Sequence, residues 1–425
     1  MSALASQLHS RLNTGRWGTA AVVALSSVLL AMLSTLVPVA HATVAHPHRA
    51  RSARHTLHHK TRHHKAHHHR TRHTRVVHHA LASVPRGQQA SAPTSAPLSF
   101  GIYPGGAAGT VGPSGPIKPE DPAKRLAALE ALRAPGRPFV LHLYAGYTGL
   151  AGWSVADQLG KQISQYTAAG FQVEPVLTYR PADGGSQSDV AGFVSFTRAA
   201  VRAFGANPGF VSLQVTNEAN LGGAPNASDG YYAGARDALI QGVIAAKAET
   251  RADGFNQVKV GFNWAYATDS AETSFWKYLA KGGRAFTNSL DWVGLDAYPG
   301  TWGPAIGGDL AGGTVAALDN AMASLRQRYM PLAGIPASVA LHVSESGYPT
   351  GPGRTQAAQV TAMRSAIGAV NAARTTYNVT DYRWFDLRDN DSASTSFEDQ
   401  YGLMSDDYTP KAAFATFHDL VAALS

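Results

Sequence analysis

Two glutamates stand where a carboxylate is costly. Glu218 closes the apolar run Val215-Thr216-Asn217-Glu218-Ala219-Asn220. Glu345 closes Val343-Ser344-Glu345-Ser346-Gly347-Tyr348-Pro349-Thr350. A charge at the end of a hydrophobic strand needs compensation. Two carboxyl groups facing one substrate can divide the labour of a displacement. One stays protonated as general acid and the other ionised as nucleophile or base, provided their surroundings push the pKa values apart. The plainer reading is a strand-end Glu bridged to an Arg. It serves for either residue alone and less well for both at once.

The elements that must position them follow from hydropathy. Short apolar runs alternate with longer helical stretches from residue 98 onward, the pattern of repeated βα units. Strands are expected at 98–103, 138–144, 171–179, 209–216, 258–265, 290–297, 339–344 and 382–387. Helices are expected at 120–133, 155–169, 188–205, 229–248, 271–283, 314–329, 355–375 and 410–424. Eight strand–helix units predict an α/β fold, a closed (β/α)8 barrel, with its active site at the C-terminal strand ends. Val211, Leu213 and Val215 then face the helices, while Ser212, Gln214, Thr216 and Glu218 face inward. Strand 7 breaks this alternation, because Leu341, Val343 and Glu345 share a parity. A bulge near its end would resolve the conflict.

The two motifs at these positions resemble those of clan A retaining glycoside hydrolases, which include cellulase-like, β-xylosidase-like and endo-β-1,3-glucanase families. The pair Asn217-Glu218 closing strand 4 matches the clan's acid/base motif. The stretch 343–350 is similar to the β-1,3-glucanase nucleophile motif, with Tyr348 where Trp is common. The resemblance implies that Glu218 is the acid/base and Glu345 the nucleophile, in a retaining cleavage of β-glycosidic bonds in a poly- or oligosaccharide. It implies that Asn217 binds the sugar 2-hydroxyl and that Tyr298 orients the nucleophile. No cofactor and no metal is expected. Many clan members hold the nucleophile ionised with an Arg on an early strand. Strands 1 and 2 offer none, leaving Arg180 after strand 3 and Arg388 after strand 8 as substitutes.

Sugar rings stack on aromatic faces, and aromatics gather at the strand ends. Trp384 is the expected subsite floor, with Trp264 and Trp302 as further substrate-binding candidates; for the others, core or rim packing is the plainer account. His142 and His342 read as satisfied core histidines. Asp386 and Asp389 read as structural hydrogen-bonders or a subsite rim. A long Gly-rich loop, 298–313, is placed to cover the site.

Charge separates the front of the chain from the rest. No acidic residue precedes Glu120, and residues 1–86 hold 12 of the 36 Lys and Arg, leaving 24 basic residues against 28 acidic ones. The mildly acidic body argues against a nucleic-acid partner on the folded domain. Residues 1–42 read as a signal peptide, cleaved after Ala40-His41-Ala42, or as a membrane anchor. Either reading directs the protein to secretion or the cell surface. Residues 43–97 read as a disordered linker, whose His/Arg/Lys tract at 43–86 is a candidate for holding an anionic cell-surface polymer, or else a solvated spacer. Residues 98–425 are the expected catalytic barrel, acting as a monomer. With no cysteine, disulfides, thiolate metal sites and cysteine nucleophiles are excluded. No Gly-x-Ser-x-Gly elbow and no His-x-His after strand 1 appears, which disfavours a serine or metal-dependent hydrolase. The remaining alternative is a catalytically idle barrel acting as a carbohydrate-binding or cell-wall-associated protein.

Overall fold

The computed structural model describes residues 96–106, 118–182, 188–224, 227–304 and 306–425. The expected signal segment 1–42 and all but the last two residues of the linker 43–97 lie outside the described residues. No described helix is long and apolar enough to cross a membrane.

Eight parallel strands close into a barrel in sequence order. They are β1 (Ser99–Ile102), β2 (Phe139–Tyr147), β3 (Gln172–Tyr179), β4 (Ser212–Val215), β5 (Lys259–Ala265), β6 (Trp292–Asp296), β7 (Ala340–Ser346) and β8 (Val379–Trp384). The main helices between and after them are α1 (Pro122–Leu132), α2 (Val155–Ala168), α3 (Val190–Phe204), α4 (Ala235–Ala252), α5 (Ser270–Leu279), α6 (Leu310–Ala323), α7 (Gln356–Tyr377) and α8 (Ala412–Leu424). This is the (β/α)8 barrel that the spacing predicts. Local signals set the helix starts. Ser154 and Asp157 cap α2 reciprocally, and the Asp189 side chain accepts from Gly192 N to open α3. Helix α4 begins later than predicted, because residues 229–231 form a short 3-10 turn and Gly234 takes φ 84°.

The apolar residues lie between strands and helices. Leu213 and Val215 of β4, Phe262 and Trp264 of β5, and Leu341 and Val343 of β7 belong to that core. The expected irregularity of β7 is present: Leu295 pairs with Val343, but Asp296 pairs with Glu345. One extra residue, Ser344, is absorbed there, and Glu345 turns inward.

The barrel interior is polar. His142, Glu174, Gln214, Asn263, Asp296, His342 and Arg383 are all buried, where bulky aliphatics usually fill such barrels. Two glycines make room for large inward side chains. A Cβ on Gly101 would lie 2.6 Å from Arg383 Cδ, and one on Gly261 would lie 2.2 Å from the Trp292 ring. Arg383 in turn lies 3.4 Å from Glu174 and 2.8 Å from Asp381. His342 lies 3.1 Å from Asp381 and stacks on Trp292, with centroids 4.4 Å apart.

Candidate active site

A cavity of about 380 Å³ opens at the C-terminal strand ends, lined in part by Asn217, Glu218, Tyr298, Trp302 and Glu345. Five of the seven residues singled out for the site therefore meet in one place.

The end of β4 presents Glu218 through an unusual backbone. Thr216 and Glu218 both take positive φ, 66° and 48°, a region that costs a non-glycine residue of order 1 kcal/mol or more. Several contacts hold it there. Thr216 N donates to Leu177 O at 2.9 Å. Asn217 N donates to Asp229 Oδ2 at 2.7 Å and Glu218 N to Asn263 Oδ1 at 2.8 Å. Asp229 also accepts from Tyr179 N at 2.7 Å and lies 3.7 Å from Arg180 Nε. Burial pushes its carboxyl up to about 7, against the pull of Arg180 and those two N–H groups.

The Glu218 carboxylate accepts from Ser228 Oγ at 2.5 Å. Burial first, and the facing Glu345 next, push its pKa up to about 8, with Ser228 pulling the other way. Both influences favour the neutral form of Glu218. Asn217 is buried beside it. Its Nδ2 donates to Ala227 O at 2.8 Å, and its Oδ1 accepts from Asn263 at 2.7 Å.

The end of β7 treats Glu345 differently. Its Oε1 accepts from the Tyr144 hydroxyl, and its Oε2 accepts from the Tyr298 hydroxyl at 2.6 Å. Both oxygens therefore act as hydrogen-bond acceptors. Carboxylate oxygens of Glu218, Glu345 and Asp296 all lie within 4.8 Å of one another. Asp296 accepts from Ser344 Oγ at 2.6 Å and from Asn263 Nδ2, tying the β7 motif to the β4 motif. Burial, then Glu345 and Glu218, raise its pKa well above the ordinary value.

Two expectations are corrected. Trp384 is not a subsite floor: it is 1% exposed and packs outward toward Phe417 of α8, with centroids 6.4 Å apart. Arg383 faces inward, so its neighbour must face the helices. Phe385, the next residue, lines the cavity instead and stacks on Tyr103, with centroids 5.0 Å apart. Trp264 faces outward for the same reason, one residue after the inward Asn263. It packs on Tyr329 (5.0 Å) and donates from Nε1 to Glu272 at 2.5 Å. Trp302 stands on the cavity rim, 54% exposed, beside Phe397.

The arginines also settle. Arg388 donates to the backbone oxygens of Lys118, Pro119 and Asp389 and is structural. Arg180 lines the cavity but donates to Ala227 O and pairs at 3.7 Å with Asp229, on the Glu218 side. Asp389 accepts from Lys411, Ser392 and Gly402 N, as a structural residue would. His342 is a core histidine. His142 is buried too, yet its Nε2 lies 3.8 Å from Glu345. Sequence reasoning missed the site positions of Tyr144, Ser228, Asn263, Asp296 and Phe385. Inward parity opposite the two motifs was the available signal for Tyr144 and Asn263.

No protein-family description matches the chain, and no curated protein matches it. Solved structures do. The chain is similar to one of two fungal β-1,4-galactanases at 14% identity and TM-score 0.51, over 76% of this chain and 100% of that one. It is similar to a β-glucosidase at 18% identity and TM-score 0.50, over 71% and 87%. A β-D-glucuronidase of Dictyoglomus thermophilum aligns at 11% identity and TM-score 0.46, over 71% of this chain and 47% of that one, so this chain spans about half its length. These neighbours are glycoside hydrolases, and at such identities the likeness is one of fold, a (β/α)8 barrel.

Proposed function

We propose that the protein is a retaining glycoside hydrolase that cleaves β-glycosidic bonds of a poly- or oligosaccharide. The observation that carries this is the pairing of Glu218 with Glu345 across one cavity, carboxylate oxygens within 4.8 Å. Retaining enzymes hold their two carboxyl groups about 5–5.5 Å apart, whereas inverting ones leave room for a water between them.

In the first step Glu345 attacks the anomeric carbon, and Glu218 gives its proton to the departing glycosidic oxygen. A glycosyl ester on Glu345 results. In the second step Glu218, now a carboxylate, takes a proton from water as that water attacks the anomeric carbon, and Glu345 leaves. Asn217 Nδ2 carries a second hydrogen for the sugar 2-hydroxyl. Tyr298 and Tyr144 orient the nucleophile by donating to its two oxygens. Trp302 and Phe385 offer apolar faces for the sugar rings.

The leader and the basic tract extend this reading: the enzyme acts outside the cytoplasm, and residues 43–86 hold it to an anionic polymer. The deciding experiment is hydrolysis of a panel of β-linked polysaccharides and aryl glycosides by the full chain, beside Glu218→Gln and Glu345→Gln. Proton NMR of the first-formed product should show the substrate's anomeric configuration, and both variants should be inactive. Sugar binding without cleavage by any of the three proteins would make the barrel a carbohydrate-binding protein instead.

A further inference from the structure

One neighbour of Glu345 has no part in that mechanism. His142 lies on β2, 1% exposed. Its Nδ1 is 3.1 Å from Glu174 Oε1, and its Nε2 is 3.2 Å from the Tyr144 hydroxyl and 3.8 Å from Glu345 Oε1. Counting hydrogens decides the state of the ring. The Tyr144 hydroxyl has one hydrogen and donates it to Glu345, so it can only accept from His142. Glu174 faces Arg383 Nε at 3.4 Å and His342 Nδ1 at 4.0 Å. Burial alone would raise its pKa, but Arg383 and His142 outweigh this and push the carboxyl down to about 2. Glu174 is therefore an ionised acceptor. Both ring nitrogens of His142 face acceptors, and only the imidazolium donates from both.

We propose that His142 is a buried cation and that it is the counter-charge holding Glu345 ionised, acting as a positioning residue through Tyr144. The proposal rests on the retaining reading for its catalytic part. The charged and titratable groups around the ring agree with it. They are Tyr144 on its own strand, Glu174 on β3, Glu345 and His342 on β7, and Arg383 on β8 with Asp381 behind it. Burial opposes the charge on His142, but Glu174 and then Glu345 favour it more, and the net shift is upward. A histidine can lose the charge. When it does, Nε2 becomes an acceptor, the Tyr144 hydroxyl turns toward it, and Glu345 loses a donor and a positive neighbour together.

The test is the pH profile of kcat/KM for the full chain and for His142→Gln. An opposite charge at this range shifts a carboxylate by about 1–3 pH units. The acidic limb of the variant should move up by roughly that amount, and kcat should fall about 10²-fold. A folded variant with an unmoved acidic limb overturns the proposal. A second measurement needs neither turnover nor an active variant: ¹⁵N spectra of histidine ring nitrogens in the wild-type chain across pH. One buried histidine should still carry two N–H groups above pH ~6.5, the ordinary histidine value, with a ring N–H coupled to the Tyr144 hydroxyl and absent in Tyr144→Phe. A neutral His142 at pH ~6.5 also overturns it. If the wild type cleaves no glycoside, the retaining reading fails, while the ¹⁵N result still decides the charge.

Discussion

Glu218 and Glu345 are the same side chain in one cavity, and the strands that carry them treat them in opposite ways. The two glutamates face each other and Asp296 within one cluster, but the β4 end gives Glu218 a single hydroxyl donor, Ser228, with Asp229 and Arg180 of opposite sign nearby. The β7 end gives Glu345 two phenol donors and an imidazole. Burial and the facing carboxylate push Glu218 toward its neutral form; Glu345 has a donor on each oxygen. Residue type alone therefore does not assign the roles proposed for the two glutamates. Donor count and the groups around each carboxyl do.

The comparison can be broken most severely at β7. Glu345→Gln should lower kcat by more than the ~10⁴-fold at the top of the range for lost acid–base catalysis, because no covalent intermediate can form. Trapping a glycosyl-enzyme on that variant, seen by intact mass spectrometry, would reverse the roles. Glu218→Gln should cost about 10²–10⁴-fold on natural linkages. It should cost much less on aryl glycosides whose leaving groups need no proton, so the ratio of the two rates is the diagnostic.

The pKa of Glu218 gives a pH test with a definite sign. The proposed mechanism needs its proton, so the alkaline limb of kcat/KM should fall near pH 8, where that proton is lost. Stability has the same direction. The folded value, about 8, lies above the ordinary 4.5. The contribution is therefore whole below 4.5 and is lost as pH rises through about 8. Glu218→Gln removes that loss, so it should melt higher than wild type at alkaline pH and alike in acid; equal melting throughout would mean Glu218 is not held neutral.

The tryptophans sharpen the contrast between cavity and core. Trp384→Ala should destabilise by about 3–5 kcal/mol, visible in denaturant melts, with KM unchanged. Trp302→Ala should leave the melt alone and raise KM by about 2–10-fold, the range of a stacked aromatic contact. Reversal of the pair would restore Trp384 to the site.

The eight-unit barrel was legible because its strands and helices have different hydrophobic periods. The glutamates were legible because a carboxylate ending an apolar run is rare without purpose. The β7 bulge left a trace in the parity conflict of Leu341, Val343 and Glu345. Trp384 and Trp264 misled because each stands near the catalytic end of its strand, although each shares the outward parity of Tyr382 and Phe262. Their polar neighbours, Asn263 and Arg383, marked the inward face. Tyr144, Ser228 and Asp296 contact the glutamates through register between strands and through loop closure, and a single sequence does not contain that register. His142 was legible as a buried residue but not as a partner of Glu345, since the two are 203 positions apart.

The polar filling of the barrel has a consequence of its own. Arg383 and His342 touch a second cavity, of about 490 Å³, at the opposite mouth, where Asp381 and Lys259 also lie. From there Asp381, Arg383, Glu174, His142 and Tyr144 lead to Glu345 by successive close contacts. The rear of the barrel is thereby wired to its working end. On the proposed mechanism, Asp381→Asn should change the charge balance around His142 while every residue lining the active-site cavity stays as it is, and the pH profile of kcat/KM would show it.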